Sequence, residues 1–311
     1  MEAARLKHRL RERLAEAGLA GPGFRVGSID DDPAKLSADL RFPCILKPVH
    51  LAASRGVIRA DDPAGFVDAF RRIARLLEQP ELAARGGEGS RTILVEDYLP
   101  GAEVALEGLL DDGRLRVLAI FDKPDPLEGP FFEETIYVTP SRLPEPVQAE
   151  IADAVSSAAA ALGLETGPVH AELRLPGGPP VLLEIAPRSI GGHCARVLRF
   201  GPERIRLEEL ILRHALGMDV AGLEREPEAA GVMMIPIPCA GVLRDVRGLA
   251  DAQRVPGVED VTIAIPIGQQ VVPLPEGSRY LGFIFARAAQ PADVEAALRA
   301  AHAQLQFDIQ S

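Results

Sequence analysis

Along the chain the spacing of apolar residues changes period several times, and each change marks an element. Leu6, Leu10, Leu14 and Ala17 recur at helical spacing within 3–18, where Gly18 stops the run and Lys7 borders the stripe. A Gly- and Pro-rich loop follows, then a short acidic segment near Asp30 to Pro33. PCILKPV (43–49) is an apolar run of strand length that carries Lys47, and HLAASRG (50–56) is a small-residue loop before the strand VIRA. Residues 63–79 return to helical period, with Phe66, Phe70, Ile73 and Leu77 on one face. The stretch 80–91, PELAARGGEGSR, reads as a flexible break. TILVEDYL (92–99) predicts a strand, and two more flank the turn Asp111-Asp112-Gly113. After the loop DKPDPLEGPFFEET (122–135) come a strand, IYVT, and an Ala-rich helix over 145–162. A helix near 206–216 closes this part. From Gly231 the pattern becomes short strands (VMMIPIP, VEDVTIAI, YLGFIFAR) and a final helix, PADVEAALRAAHAQL. A chain of 311 residues with 47% hydrophobic content makes two or three lobes.

The most informative stretch is 167–200. HAELRL and VLLEIA alternate around a PGGPP turn, a hairpin signal. If Pro176 to Pro180 form the loop, Leu175 faces Val181 and Glu172 faces Glu184. Facing carboxylates on one side of an antiparallel pair repel unless one is protonated or a cation lies between them. Magnesium, with one or two carboxylates plus substrate phosphates, does that. In the alternative, the register slips by one and the two glutamates point to opposite faces. Pro187-Arg188 and Ser189-Ile190-Gly191-Gly192 follow, an arginine and a flexible backbone suited to phosphate or carboxylate oxygens.

Composition narrows the function. With 47% hydrophobic residues and a mean hydropathy of +0.08, the chain has ample core. A net charge of −11 excludes a broad nucleic-acid or anionic-membrane surface, so any anion site must be local. Neither a signal-peptide core nor an apolar run of spanning length is present. Cys44, Cys194 and Cys239, odd in number and without metal spacing, suit a reducing cytoplasm and read as small buried hydrophobes. Asparagine is absent, and Lys7, Lys35, Lys47 and Lys123 are the only lysines among 34 basic residues. A chain that uses arginine wherever it serves keeps lysine where a compact point charge is needed.

A helix lysine, a strand-end lysine, a small-residue loop, Glu-x-x-Leu closing a strand, and two glutamates on adjacent strands followed by Pro-Arg stand in one order. This set resembles the ATP-grasp superfamily, especially its carboxylate–amine ligases. The resemblance implies an ATP-grasp fold of two α+β lobes clasping ATP, 1–91 and 92–220, and a small biotin-carboxylase-like α+β domain over 221–311. It further implies that Lys7 and Lys47 contact the α- and β-phosphates and that the 50–56 backbone with Ser54 folds over them, although this loop has less glycine than is usual. Adenine would lie against the 96–99 strand end, at Glu96 or Asp97 and the Leu99 amide, with Glu103 on the ribose hydroxyls. Glu172 and Glu184 would bind magnesium, or manganese in its place, and Arg188 would meet the γ-phosphate and the activated carboxylate. Lys123, Glu133, Gly191, Gly192 and His193 are candidates for substrate contact, as are Phe131, Phe132 and Glu134. His170 shares the Glu172 face and reads either as a ligand-orienting group or as a satisfied core histidine.

Two positions depart from the family. Ala186 stands where an Asn metal ligand is common, which leaves the number of metals open. The family also usually places an α/β domain before the Lys7 helix, implying one that is trimmed, lost, or supplied by a separate partner. The implied reaction joins small-molecule carboxylate and amine substrates through an acylphosphate, in the cytoplasm, with no nucleic acid or membrane partner and with a homodimer open. The alternatives are a carboxyphosphate-forming enzyme of biotin-carboxylase type and a non-catalytic ATP-binding subunit.

Overall fold

A computed structural model describes residues 2–310. Its first sheet holds β1 (Phe24–Ser28), β2 (Cys44–Pro48), β3 (Ile58–Ala60) and β4 (Thr92–Asp97), in the order β1-β4-β2-β3. The helix Pro63–Leu77 covers it. Asp62 caps that helix by accepting the Gly65 N–H, Pro63 occupies its first turn, and Phe66, Phe70, Ile73 and Leu77 bury against β2 and β4. Because β4 pairs with both β1 and β2, the first lobe runs through Asp97, past the expected boundary at 91. The expected break at 80–91 is instead ordered as the helix Pro80–Gly86 and a 3₁₀ turn.

An eight-stranded antiparallel sheet forms the body. It contains β5 (Ala102–Asp111), β6 (Arg114–Lys123), β7 (Ile136–Thr139), β8 (Gly167–Leu175), β9 (Val181–Ala186) and β10 (Ala229–Ile235). The later strands are β11 (Gly241–Arg247), β12 (Val258–Ile263), β13 (Gln270–Val271), β14 (Gly282–Ala288) and β15 (Gln306–Gln310). The large sheet runs β12-β14-β10-β7-β6-β5-β8-β9, and the small one β13-β11-β15. Of the strands beyond residue 220, β10, β12 and β14 extend the sheet of the second lobe, while β11, β13 and β15 form the small sheet and a separate hydrophobic cluster gathers residues 229–305 with Ile136 and Val138. The helix Pro291–His302 closes this extension over β10 and β14.

The N-terminal helix differs from its apolar pattern in an informative way. The chain leaves helical geometry at Leu6, which is extended, and a new helix starts at Lys7 and runs to Glu16. The break lets the Lys7 N–H donate to the Val49 carbonyl and puts Leu6 among Val49 and Leu94 of the first lobe. Leu10 and Leu14 pack instead against β5 and β8 together with the helix Glu145–Ala161. One short helix therefore bridges both lobes, which places Lys7 at their junction.

Candidate active site

Between the lobes lies a cleft with about 280 Å³ of interior space. Lys7, Lys47, Ser54, Glu96, Asp97, Leu99, Glu103, Glu172, Glu184, Arg188, Gly191 and Gly192 all line it. These residues come from eight separate stretches of sequence, so the fold gathers what the spacing suggested.

The glutamate hairpin reaches its register differently from the expectation. Arg174 faces Val181 and Leu173 faces Leu182; a bulge then leaves Leu183 unmatched, and Glu172 faces Glu184. Leu175 therefore does not face Val181. The bulge has a stated support: Arg11 donates to the Leu182 carbonyl at 3.1 Å and to the Leu183 carbonyl at 2.8 Å. Its Nε also donates to Glu96 at 2.6 Å, and Lys47 pairs with the other Glu96 oxygen. Burial would raise the Glu96 carboxyl, but Arg11 and Lys47 outweigh it and hold it at about 2. Burial lowers the Lys47 ammonium against the pull of Glu96. Glu96 is thus a buried ion-pair partner that fixes Lys47 at the cleft wall. Asp97 beside it is exposed.

Lys7 donates to the Leu51 carbonyl at 2.6 Å and lies 3.3 Å from Glu184. It ties the small-residue loop to the glutamate hairpin. In that loop Ala53 and Ser54 both hold positive φ, a backbone that L residues adopt only under constraint. The Gly56 N–H donates to the Pro275 carbonyl, and Arg55 donates to the Glu276 carbonyl at 2.7 Å. Arg188 is exposed on the cleft wall and donates to the Ser189 carbonyl, forming no ion pair with either glutamate among the described residues.

The floor is a polar network written in cross-strand pairs. The β5–β8 ladder sets Glu103 opposite Arg174 and Glu107 opposite His170, while β6 sets Lys123 opposite Glu103. Lys123 Nζ lies 2.6 Å from Glu103, 2.9 Å from Glu134 and 3.4 Å from Glu172, and above the Tyr137 ring. Burial would lower this ammonium, but the three carboxylates hold it well above its usual range. Oxygens of Glu103, Glu134 and Glu172 lie within 4.8 Å of one another, close enough for a cation, and Lys123 is that cation. Lys123 is therefore no acceptor for a substrate carboxylate: its side chain is 2% exposed and its charge is already matched. Glu103, held by Lys123 and at 3.0 Å by Arg174, is likewise engaged within the protein rather than free for a ribose. Burial raises Glu134 to about 7, with Glu172 and Glu103 adding to the rise against Lys123.

Other candidates fall differently from the sequence reading. In the 131–134 run, Phe132 and Glu134 face the cleft, whereas Glu133 points away, where the Ile237 backbone bonds it. Phe131 pairs with Ile58 and takes Arg72 over its ring. His193 takes left-handed backbone and packs its ring on Phe283 at 4.7 Å; the cleft is lined by Gly191, Gly192 and Cys194 around it. Cys44 and Cys194 are buried, but Cys239 is exposed. No helix among the described residues is long and apolar enough to cross a membrane.

Glu172 and Glu184 suit a divalent cation on the donor chemistry shown here. They are facing, half-buried carboxylates on one cleft wall, balanced by cations from opposite sides, Lys7 for Glu184 and Lys123 with His170 for Glu172.

Comparison with known proteins adds the following. Residues 40–197 match the family described as ATP-grasp domain, and residues 233–310 match L-amino acid ligase C-terminal domain 2. Alanine–anticapsin ligase of Bacillus subtilis strain 168 is 31% identical over 208 residues, 61% of this chain and 42% of that protein. The crystal structure of L-amino acid ligase from Bacillus licheniformis superposes with a TM-score of 0.85 at 30% identity, covering 100% of this chain and 74% of that one. The biotin carboxylase domain of Hydrogenobacter thermophilus 2-oxoglutarate carboxylase, solved with MgADP and bicarbonate, has a TM-score of 0.67 at 15% identity, covering 99% of this chain and 67% of that one. That likeness is one of fold alone. The chain spans about half the length of the curated relatives it matches.

Proposed function

Because the chain belongs to the ATP-grasp domain family, we propose that it is the ATP-binding and catalytic part of a ligase joining the carboxylate of one amino acid to the amine of another. The observation that carries this reading is the convergence of Lys7, Lys47, Glu172, Glu184 and Arg188 on one cleft. Two cations at one end suit phosphates, two carboxylates suit a metal, and an exposed arginine with two glycines suits a second anion. The amino-acid assignment is supported by the relatives named above.

In the proposed reaction a carboxylate oxygen bonds to the γ-phosphorus while the bond to the β,γ-bridging oxygen breaks, giving an acylphosphate and ADP. The amine nitrogen then bonds to the acyl carbon, phosphate leaves, and the nitrogen loses a proton. Lys47, fixed by Glu96, and Lys7, fixed by Leu51, hold the phosphates in line. Arg188 receives charge on the transferring phosphoryl and orients the carboxylate. A magnesium ion on Glu172 and Glu184 would supply further charge neutralisation. Little covalent work falls to the protein, so positioning and electrostatics supply the rate.

The test is ADP release with MgATP and a panel of amino acids, singly and in pairs, with mass spectrometry of the products. Sustained ADP release that needs a carboxylate, with a product equal to two substrates less one water, is expected. ADP release indifferent to added carboxylate, or bicarbonate incorporation in its place, would overturn the reading.

A further inference from the structure

Glu107 and His170 form a buried pair that neither phosphate binding nor metal ligation accounts for. Glu107 is 1% exposed, in the middle of an otherwise apolar stretch of β5. Burying a carboxylate there is costly unless its oxygens are matched, and both are. Oε1 lies 2.6 Å from His170 Nδ1, and Oε2 accepts the Ile190 N–H at 3.1 Å. The other ring nitrogen of His170, Nε2, lies 3.5 Å from Glu172 Oε1. One carboxylate thereby connects the Glu172 strand to the turn that carries Arg188, Gly191 and Gly192.

We propose that Glu107 and His170 are positioning residues: they hold the Glu172 carboxylate and the 188–192 turn in fixed relation, so that metal and anion are bound together. With Nδ1 committed to Glu107, the imidazole has one orientation, and only Nε2 faces the cleft. Glu172 Oε1 lies toward both Lys123 and His170, which fixes the direction of this carboxylate on the cleft wall. Partners behind a metal-binding carboxylate or imidazole commonly change metal affinity about 10–100-fold when removed. The proposal rests on Glu172 being a metal ligand.

The experiment titrates Mn²⁺ into the protein with ADP present, followed by electron paramagnetic resonance, for the natural chain, His170→Gln and Glu107→Gln. ADP binding without metal is measured by calorimetry in parallel, and thermal melts establish which variants are folded. Weakening of Mn²⁺ affinity by about 10–100-fold in folded His170→Gln, with metal-free ADP affinity within about twofold, is expected. Glu107→Gln should do the same and also weaken the metal-free site for inorganic phosphate through the 188–192 turn. Unchanged Mn²⁺ affinity in folded His170→Gln overturns the proposal, even if Glu107→Gln fails to fold. Equal losses of metal-free ADP binding and Mn²⁺ affinity also overturn it, since a general packing role predicts that. Absence of Mn²⁺ binding in the natural chain would instead remove the metal assignment to Glu172 itself.

Discussion

Replacing Glu184 with glutamine is expected to lower ligase turnover about 10²–10³-fold, the usual cost of removing one pre-organised electrostatic group. Glutamine keeps the shape and one carbonyl oxygen, so packing on β9 should survive. What disappears is a negative charge facing Glu172 across the hairpin. Glu184 has a second, competing role as the ion-pair partner of Lys7 at 3.3 Å. If that were its whole purpose, the substitution would be mild, because a partly exposed pair contributes only about 0–1 kcal/mol. The two roles separate in an ADP titration with and without Mg²⁺. As a metal ligand, Glu184→Gln should weaken binding only when Mg²⁺ is present. Full turnover in the variant would remove Glu184 from the metal site.

The largest effect on stability is expected at Arg11. Arg11→Met should cost about 3 kcal/mol, the low end of the usual penalty for breaking a buried pair, because Glu96 keeps Lys47 as its one remaining partner. Arg11 and Glu96 are 2% and 3% exposed, so solvent cannot replace the lost partner. Arg11 and Lys47 together hold the Glu96 carboxyl at about 2 instead of 4.5, a shift that corresponds to about 3 kcal/mol shared between them. The sign follows from linkage. A depressed folded-state value means that this stability is present above about 4.5 and is lost as pH falls toward about 2. In Arg11→Met the acid-side slope over that window should flatten, because Glu96, left with Lys47 alone, resists protonation less. The substitution also removes the donor to the Leu182 and Leu183 carbonyls at the β9 bulge. Metal affinity should therefore fall along with stability. Urea unfolding at several pH values, with Mn²⁺ titration of the folded variant, checks both.

How far the chain was legible follows from which forces act locally. Helix 63–77 is legible from its own residues, from Asp62 and Pro63 to the spacing of Phe66, Phe70 and Ile73, which also marks the face it buries against β2 and β4. β-Strand period and the Gly/Pro turn made the hairpin readable but not its register: Arg174, not Leu175, faces Val181, and the Glu172–Glu184 facing is restored only by the bulge at Leu183. The bulge that completes it was not readable, because its support, Arg11, lies 171 residues away from Leu182. Strands β1, β11, β13 and β15 escaped notice because they are short and half-exposed, and they owe their form to the neighbours they pair with. Lys123 was recognised as unusual but given the wrong partner. Its residue type was informative, while Glu103, Glu134 and Glu172 come together around it only in the folded sheet.

Some site residues left a signal that was not used. Arg11 sits between Leu10 and Leu14 on the buried side of its helix, an arginine where apolar residues belong. Glu107 interrupts an apolar run, and it shares a strand face with Glu103 just as His170 shares one with Glu172 and Arg174. Charged residues at period two on the buried faces of adjacent strands predict a polar network, because an unmatched buried charge is too costly to keep.

The most direct test of the ATP cleft is calorimetric titration of MgATP into this chain and into Lys47→Met. Lys47 contributes one ammonium to the cleft wall, and a hydrogen bond from a charged donor contributes about 1.5–3 kcal/mol. Binding in the micromolar range by the natural chain, weakened about 10–100-fold in Lys47→Met, is the expected result. Equal affinity in the two proteins, or no binding by the natural chain, would contradict the assignment of this cleft to ATP.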